Sequence, residues 1–223
     1  ARYIVKEVSS PQYYSVSEEE VTVYLEHEGQ IVQIEFLNES VYTNVSIGKS
    51  GYTEVVPGQE IRYTFKDIGN NSTVPLDSFY WRDTLPTDAV RLDKIITGTY
   101  SARLNYKVVF QTNLSNTQRV LADNLNTLQN YTLDASPAAL GLASNEYVTQ
   151  VTFLFGRVPG GFRQVETPYI YCDVLSSLPH EYRFANKCDV GGMWRNQWIQ
   201  ATDRWVTIIY RGGPVPTLPR TGY

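Results

Sequence analysis

Two stretches of this chain alternate apolar and polar side chains with a period of two, and that alternation limits what the chain can fold into. Ile61, Tyr63 and Phe65 alternate with Arg62, Thr64 and Lys66; Leu104, Tyr106, Val108 and Phe110 stand opposite Arg103, Asn105, Lys107 and Gln111. A period of two gives a strand one buried face, whereas a helix needs apolar residues three and four apart. Shorter apolar runs follow at Tyr147 to Phe155, Val165 to Val174, Tyr182 to Cys188, Trp194 to Ile199 and Trp205 to Tyr210, punctuated by Gly, Pro and Asn. Many short strands spaced by turn residues predict an all-β sandwich. Two stretches break the pattern. Thr117 to Leu128 is polar and reads as a short helix or a loop, and Pro137 to Gly141 reads as one helical turn closed by the glycine.

At 223 residues the chain can bury a substantial core without disulfides. A formal charge of −4 with no basic cluster argues against nucleic acid or a membrane surface as partner. No apolar run approaches the length of a membrane span. The sequence holds no hydrolase nucleophile motif, no phosphate-binding Gly loop and no metal-binding His pair, so neither a metal nor a cofactor is expected, and the chain does not read as an enzyme. Cys172 and Cys188 lack the C-x-x-C spacing of zinc and redox sites. Two readings remain for them: a disulfide between neighbouring strands joined through the Ser176 to Pro179 turn, or two buried thiols.

Residues 1–42 carry three strand signals, Tyr3 to Val8, Glu20 to Leu25 and Ile31 to Leu37, with a turn at His27-Glu28-Gly29-Gln30. With Glu7 on the first, a Ser10-Pro11-Gln12-Tyr13-Tyr14 turn and Asn38 closing the third, this segment resembles the C-terminal half of a Cna-B or SpaA-like module. That is a prealbumin-like sandwich strung along pili and adhesin stalks. Complete modules join a Lys to the Asn with the Glu as proton shuttle; residues 1–42 offer no such Lys strand, so no bond is expected within them.

Residues 43–211 read as the main unit. Lys49, the Val55-Val56-Pro57-Gly58-Gln59 turn, the Tyr63-Thr64 strand, the Gly69-Asn70 loop and Asp83-Thr84-Leu85-Pro86 together resemble the DUF11 and Cna-A-like domains of bacterial surface proteins. The resemblance implies an Ig-like sandwich. It also implies an autocatalytic isopeptide bond from Lys49 on the first strand to Asn186 on a late one, with Asp83 as the acid that relays the proton.

A Pro-spaced segment, residues 212–223, ends in Leu218-Pro219-Arg220-Thr221-Gly222 before Tyr223. These five residues resemble the L-P-x-T-G sorting motif of Gram-positive surface proteins. The implied partners are a sortase, which cleaves between Thr221 and Gly222, and peptidoglycan; the implied location is extracellular and anchored to the cell wall. A host or matrix ligand would be bound by further N-terminal modules, and both ends read as fragment boundaries. The resemblances together imply the structural stalk of an adhesin or pilin. The competing reading is a carbohydrate-binding β-sandwich, which would show two or more Trp coplanar on an exposed face.

Overall fold

The computed structural model describes residues 1–212. Fourteen strands and no helix are present among them. In chain order they are β1 (Arg2–Lys6), β2 (Glu20–Tyr24), β3 (Val45–Ser50), β4 (Glu54–Val55), β5 (Glu60–Asn70), β6 (Leu76–Thr84), β7 (Val90–Ile96), β8 (Asn105–Thr112), β9 (Ser115–Asn126), β10 (Thr132–Asp134), β11 (Val148–Val158), β12 (Tyr169–Val174), β13 (Arg183–Trp194) and β14 (Gln197–Ile209). The all-β expectation holds. One sheet runs β10-β7-β12-β5-β3, a larger one runs β4-β14-β13-β6-β11-β8-β9, and β1 pairs only with β2.

The core lies between the five- and seven-stranded sheets, built from the inward phase of each strand. Ile61, Tyr63 and Phe65 of β5 face Phe79 and Trp81 of β6 and Phe153 of β11, all essentially without exposure. Trp81 stacks on Phe153 at 3.9 Å between centroids and tilts against Phe65 at 4.8 Å, which ties the sheets at the middle of the sandwich. Its indole N–H donates to the Tyr100 hydroxyl at 2.9 Å, so the polar atom of the largest core side chain is satisfied.

Three expectations need correction. Thr117 to Leu128 is neither helix nor loop: most of it lies in the outermost strand β9, paired antiparallel with β8. Its polar composition suits an edge strand, whose exposed side chains keep other chains from pairing there. Trp194 to Ile199 and Trp205 to Tyr210 are not separate strands but belong to one long hairpin, β13–β14, turned at Arg195 and Asn196. Both turn residues have positive φ, 46° and 63°, as a tight two-residue hairpin turn demands. The strand expected at Ile31 to Leu37 pairs in no ladder, whereas Pro137 to Gly141 is the helical turn expected, the Leu140 N–H donating to the Ser136 carbonyl at 3.0 Å and Gly141 closing it at a φ of 62°.

Gly98 sits where no other residue fits. Its φ is +68°, and a Cβ there would lie 2.4 Å from the Glu166 carbonyl oxygen and 2.9 Å from the Pro168 nitrogen. Neither obstacle is a side chain that can turn aside. Gly98→Ala is expected to cost about 2–3 kcal/mol, combining left-handed strain with displacement of a neighbouring strand's lead-in. A urea midpoint unchanged from the parent protein would contradict this.

Candidate functional site: a buried lysine, aspartate and asparagine

Each of three inward-facing strand rows carries one polar residue among apolar ones. On β3 the row is Val45, Ile47, Lys49; on β6 it is Phe79, Trp81, Asp83; on β13 it is Phe184, Asn186, Cys188, Val190. Asp83 lies opposite Cys188 in the β6–β13 ladder, so Asp83 and Asn186 stand on adjacent strands of the seven-stranded sheet. Lys49 reaches them from the other sheet, on its edge strand.

The three side chains meet. Lys49 Nζ donates to Asp83 Oδ1 at 2.6 Å, and Asn186 Nδ2 donates to Asp83 Oδ2 at 3.2 Å. One carboxyl group therefore holds both the amine and the amide. The side chains of Lys49 and Asp83 are wholly inaccessible to solvent, and Asn186 is buried as completely. The amine sits 4.0 Å from the Phe65 ring centroid and 4.6 Å from that of Tyr63. Asn186 Oδ1 and the Tyr63 hydroxyl are buried without a hydrogen-bond partner.

Burial raises the pKa of Asp83, against the opposing pull of Lys49 and the hydrogen bond from Asn186. Removing two charges from water costs several kcal/mol per ion, which the attraction between them does not reliably recover in so apolar a site. Transfer of the shared proton to the carboxyl leaves an uncharged amine and a carboxylic acid, which removes that cost. An uncharged amine is a nucleophile, and a carboxylic acid is a donor for a carbonyl oxygen.

The sequence did not point to Asp203. Its Oδ2 accepts the backbone N–H of Lys49 at 2.7 Å, so β14 clamps β3 at the residue whose side chain enters the site. Nothing in the alternation of β14 distinguishes Asp203 from the solvated polar residues around it.

The cysteines are corrected in position and in state. Cys172 lies on β12 in the five-stranded sheet and Cys188 on β13 in the seven-stranded sheet, so the turn between them crosses from sheet to sheet, and both are free, buried thiols. Burial raises both thiol pKa values, that of Cys188 to about 12. Both thiols stay protonated at neutral pH and act as small apolar side chains near the triad. No labelling by an aqueous thiol reagent is expected in the folded protein, with two thiols titrating on unfolding; modification of the native protein would contradict this placement.

Among the four tryptophans, Trp81 is core, Trp194 and Trp205 are half-buried and Trp198 is 52% exposed. Trp198 meets Tyr80 edge to face, so the coplanar exposed pair expected of a sugar platform does not form among the described residues. Leu218, Pro219, Arg220, Thr221 and Gly222 lie outside the described residues. Among the described residues no helix is long and apolar enough to cross a membrane.

No protein-family model and no curated protein sequence matches the chain. Among solved structures it overlaps a cohesin module of a family 33 glycoside hydrolase from Clostridium perfringens, at 8% identity and TM-score 0.40, over 76% of this chain and 98% of that one. It also overlaps the collagen-binding subdomain of the Enterococcus faecalis surface protein ACE, at 11% identity and TM-score 0.31, over 74% and 96%. The major pilin subunit BcpA of Bacillus cereus overlaps at 14% identity and TM-score 0.34, over 93% of this chain but 54% of BcpA, so the chain spans about half of that protein. Overlaps this loose carry no weight for function.

Proposed function

We propose that this chain is a load-bearing stalk segment of a bacterial surface protein of the adhesin or pilin type, its main domain locked by an isopeptide bond between Lys49 and Asn186. The observation that carries the reading is the buried contact of amine, carboxyl and amide on a single Asp83. In the reaction, neutral Lys49 Nζ attacks Asn186 Cγ. The Nζ–Cγ bond forms and the Cγ–Nδ2 bond breaks. Asp83 takes a proton from the attacking nitrogen and delivers it to the departing one, and ammonia leaves. Half a turn of the Asn186 amide brings its unpartnered Oδ1 against Asp83, whose proton then polarises the carbonyl.

The bond would join the first strand of the main domain to the next-to-last, across the two sheets. Tension along the chain would then pass from β3 to β13 without loading the strands between. A tryptic digest of the folded protein is expected to contain one branched peptide joining Lys49 to Asn186; recovery of both as linear peptides alone would refute the bond.

Sorting to the cell wall is the second half of the reading and rests on the Leu218 to Gly222 motif. Thr221→Ala is expected to move the protein from the wall fraction to the medium or the membrane in a sortase-bearing host. Undiminished wall linkage would show that attachment does not use Thr221.

A further inference from the structure

We infer that Tyr63 is a catalytic residue of the crosslinking reaction, its hydroxyl donating to Asn186 Oδ1 while that oxygen carries negative charge, an inference that rests on the crosslink proposed above. Tyr63 stands on β5 between Ile61 and Phe65, in the phase that faces the core. Its hydroxyl and Asn186 Oδ1 are both buried with no hydrogen-bond partner. One is a donor and the other an acceptor. Two complementary groups left unpaired in one dry site point to a bond made at a later stage.

The reaction needs such a donor. Oδ1 of Asp83 accepts from Lys49 Nζ at 2.6 Å, and Oδ2 accepts from Asn186 Nδ2 at 3.2 Å. The single carboxyl proton polarises the amide carbonyl when the amine attacks, yet a proton must reach Nδ2 before ammonia can leave. As Nζ bonds to Cγ, an electron pair of the carbonyl moves onto Asn186 Oδ1, and it returns when the Cγ–Nδ2 bond breaks. Between those two events Asp83 is occupied with the two nitrogens, and Asn186 Oδ1 holds its charge in an apolar pocket. A hydroxyl that donates a hydrogen bond and keeps its proton stabilises that charge without entering the proton balance.

The surroundings suit a fixed donor. Lys49 Nζ lies 4.6 Å from the Tyr63 ring centroid, so the ring that walls the amine also carries the hydroxyl. Gly51 gives the ring its place, since a Cβ there would come within 3.1 Å of Tyr63 Cδ1 and 3.2 Å of Trp205 Cδ1. The side chains of Asn186 and Thr207 come near enough to the hydroxyl to act on its proton affinity, and Thr207 Oγ1 has its own proton committed to the Tyr52 carbonyl at 2.8 Å. Burial foremost, with Cys172 and Asp83 adding to it, raises the pKa of Tyr63. The hydroxyl is therefore a donor at neutral pH and does not compete with Asp83 as a base.

The test is the rate of ammonia loss from newly made full chain. The chain is produced by cell-free translation, synthesis is stopped, and intact mass is read at intervals. Tyr63→Phe keeps the ring and deletes a hydroxyl that has no partner to lose, so the variant is expected to fold. Its crosslinking should be slower than the parent's by about a hundredfold or more, the usual effect of removing one such donor. With 3,5-difluorotyrosine at position 63, a stronger donor of nearly the same shape, crosslinking should be faster than in the parent. A rate at or below the parent's would overturn the inference even where Tyr63→Phe does not fold. Equal rates for the parent and Tyr63→Phe would overturn the role of Tyr63 and leave the crosslink standing. A parent that never loses ammonia would overturn the crosslink itself, and the inference with it.

Discussion

Asp83→Ala is expected to leave the protein at its full sequence mass, while the parent protein is lighter by one ammonia. The same substitution should lower stability by on the order of 5 kcal/mol, the chain-entropy effect of opening a loop that holds most of the domain, with the disulfide relation standing in for the isopeptide. Two effects can be separated. Asp83→Ala also leaves Lys49 in an apolar site without its acid, which by itself costs about 3–5 kcal/mol. Asn186→Leu removes the reacting amide and keeps a side chain of similar size, so it reports on the loss of the reacting group with less change in packing. Lys49→Met, Asp83→Leu and Asn186→Leu together empty the site of polar groups, so the stability of that variant reports the missing crosslink without a stranded buried charge. The decisive reading is mass against unfolding midpoint across the three variants. A parent protein already at its full sequence mass would remove the crosslink, and with it the mechanical reading.

The three partners were named through the family resemblance alone, and the structure supplies the physical reason for their meeting: each breaks an otherwise apolar strand face. In Val45, Ile47, Lys49 and in Phe79, Trp81, Asp83, alternation alone puts the charge inward; an inward charge needs a partner, and each supplies the other's. Asn186 is held by the same phase between Phe184 and Cys188. Sheet membership is where sequence reading ran out. Cys172 and Cys188 are close in the chain, and proximity suggested neighbouring strands, but the connection between β12 and β13 crosses from one sheet to the other. Local residues fix a turn; which sheet receives the next strand depends on pairings far along the chain, here β12 with β5 and β7, and β13 with β6. The outer strand β9 was missed for a related reason. An edge strand need not have an apolar face, so its composition is that of a loop.

The second large effect is expected at Trp81, the residue that holds the triad's walls in place. Its ring lies between Phe65, which forms one side of the Lys49 site, and Phe153, and its N–H supplies a donor to Tyr100. Trp81→Ala is expected to cost about 3–5 kcal/mol through the cavity alone. The Tyr100 hydroxyl keeps the Thr97 carbonyl as acceptor at 3.3 Å, so that group is not stranded and adds little to the loss. The more informative consequence is chemical. With the cavity open, water reaches Asp83 and the burial that raises its pKa is relieved, so the carboxyl ionises and no longer carries the proton that polarises the Asn186 carbonyl. Trp81→Phe should retain most of the packing and therefore most of the crosslinking, whereas Trp81→Ala should yield a folded fraction at full sequence mass. Complete loss of ammonia in Trp81→Ala would show that the Lys49–Asp83 pair reacts without a dry site, and that Trp81 contributes packing only.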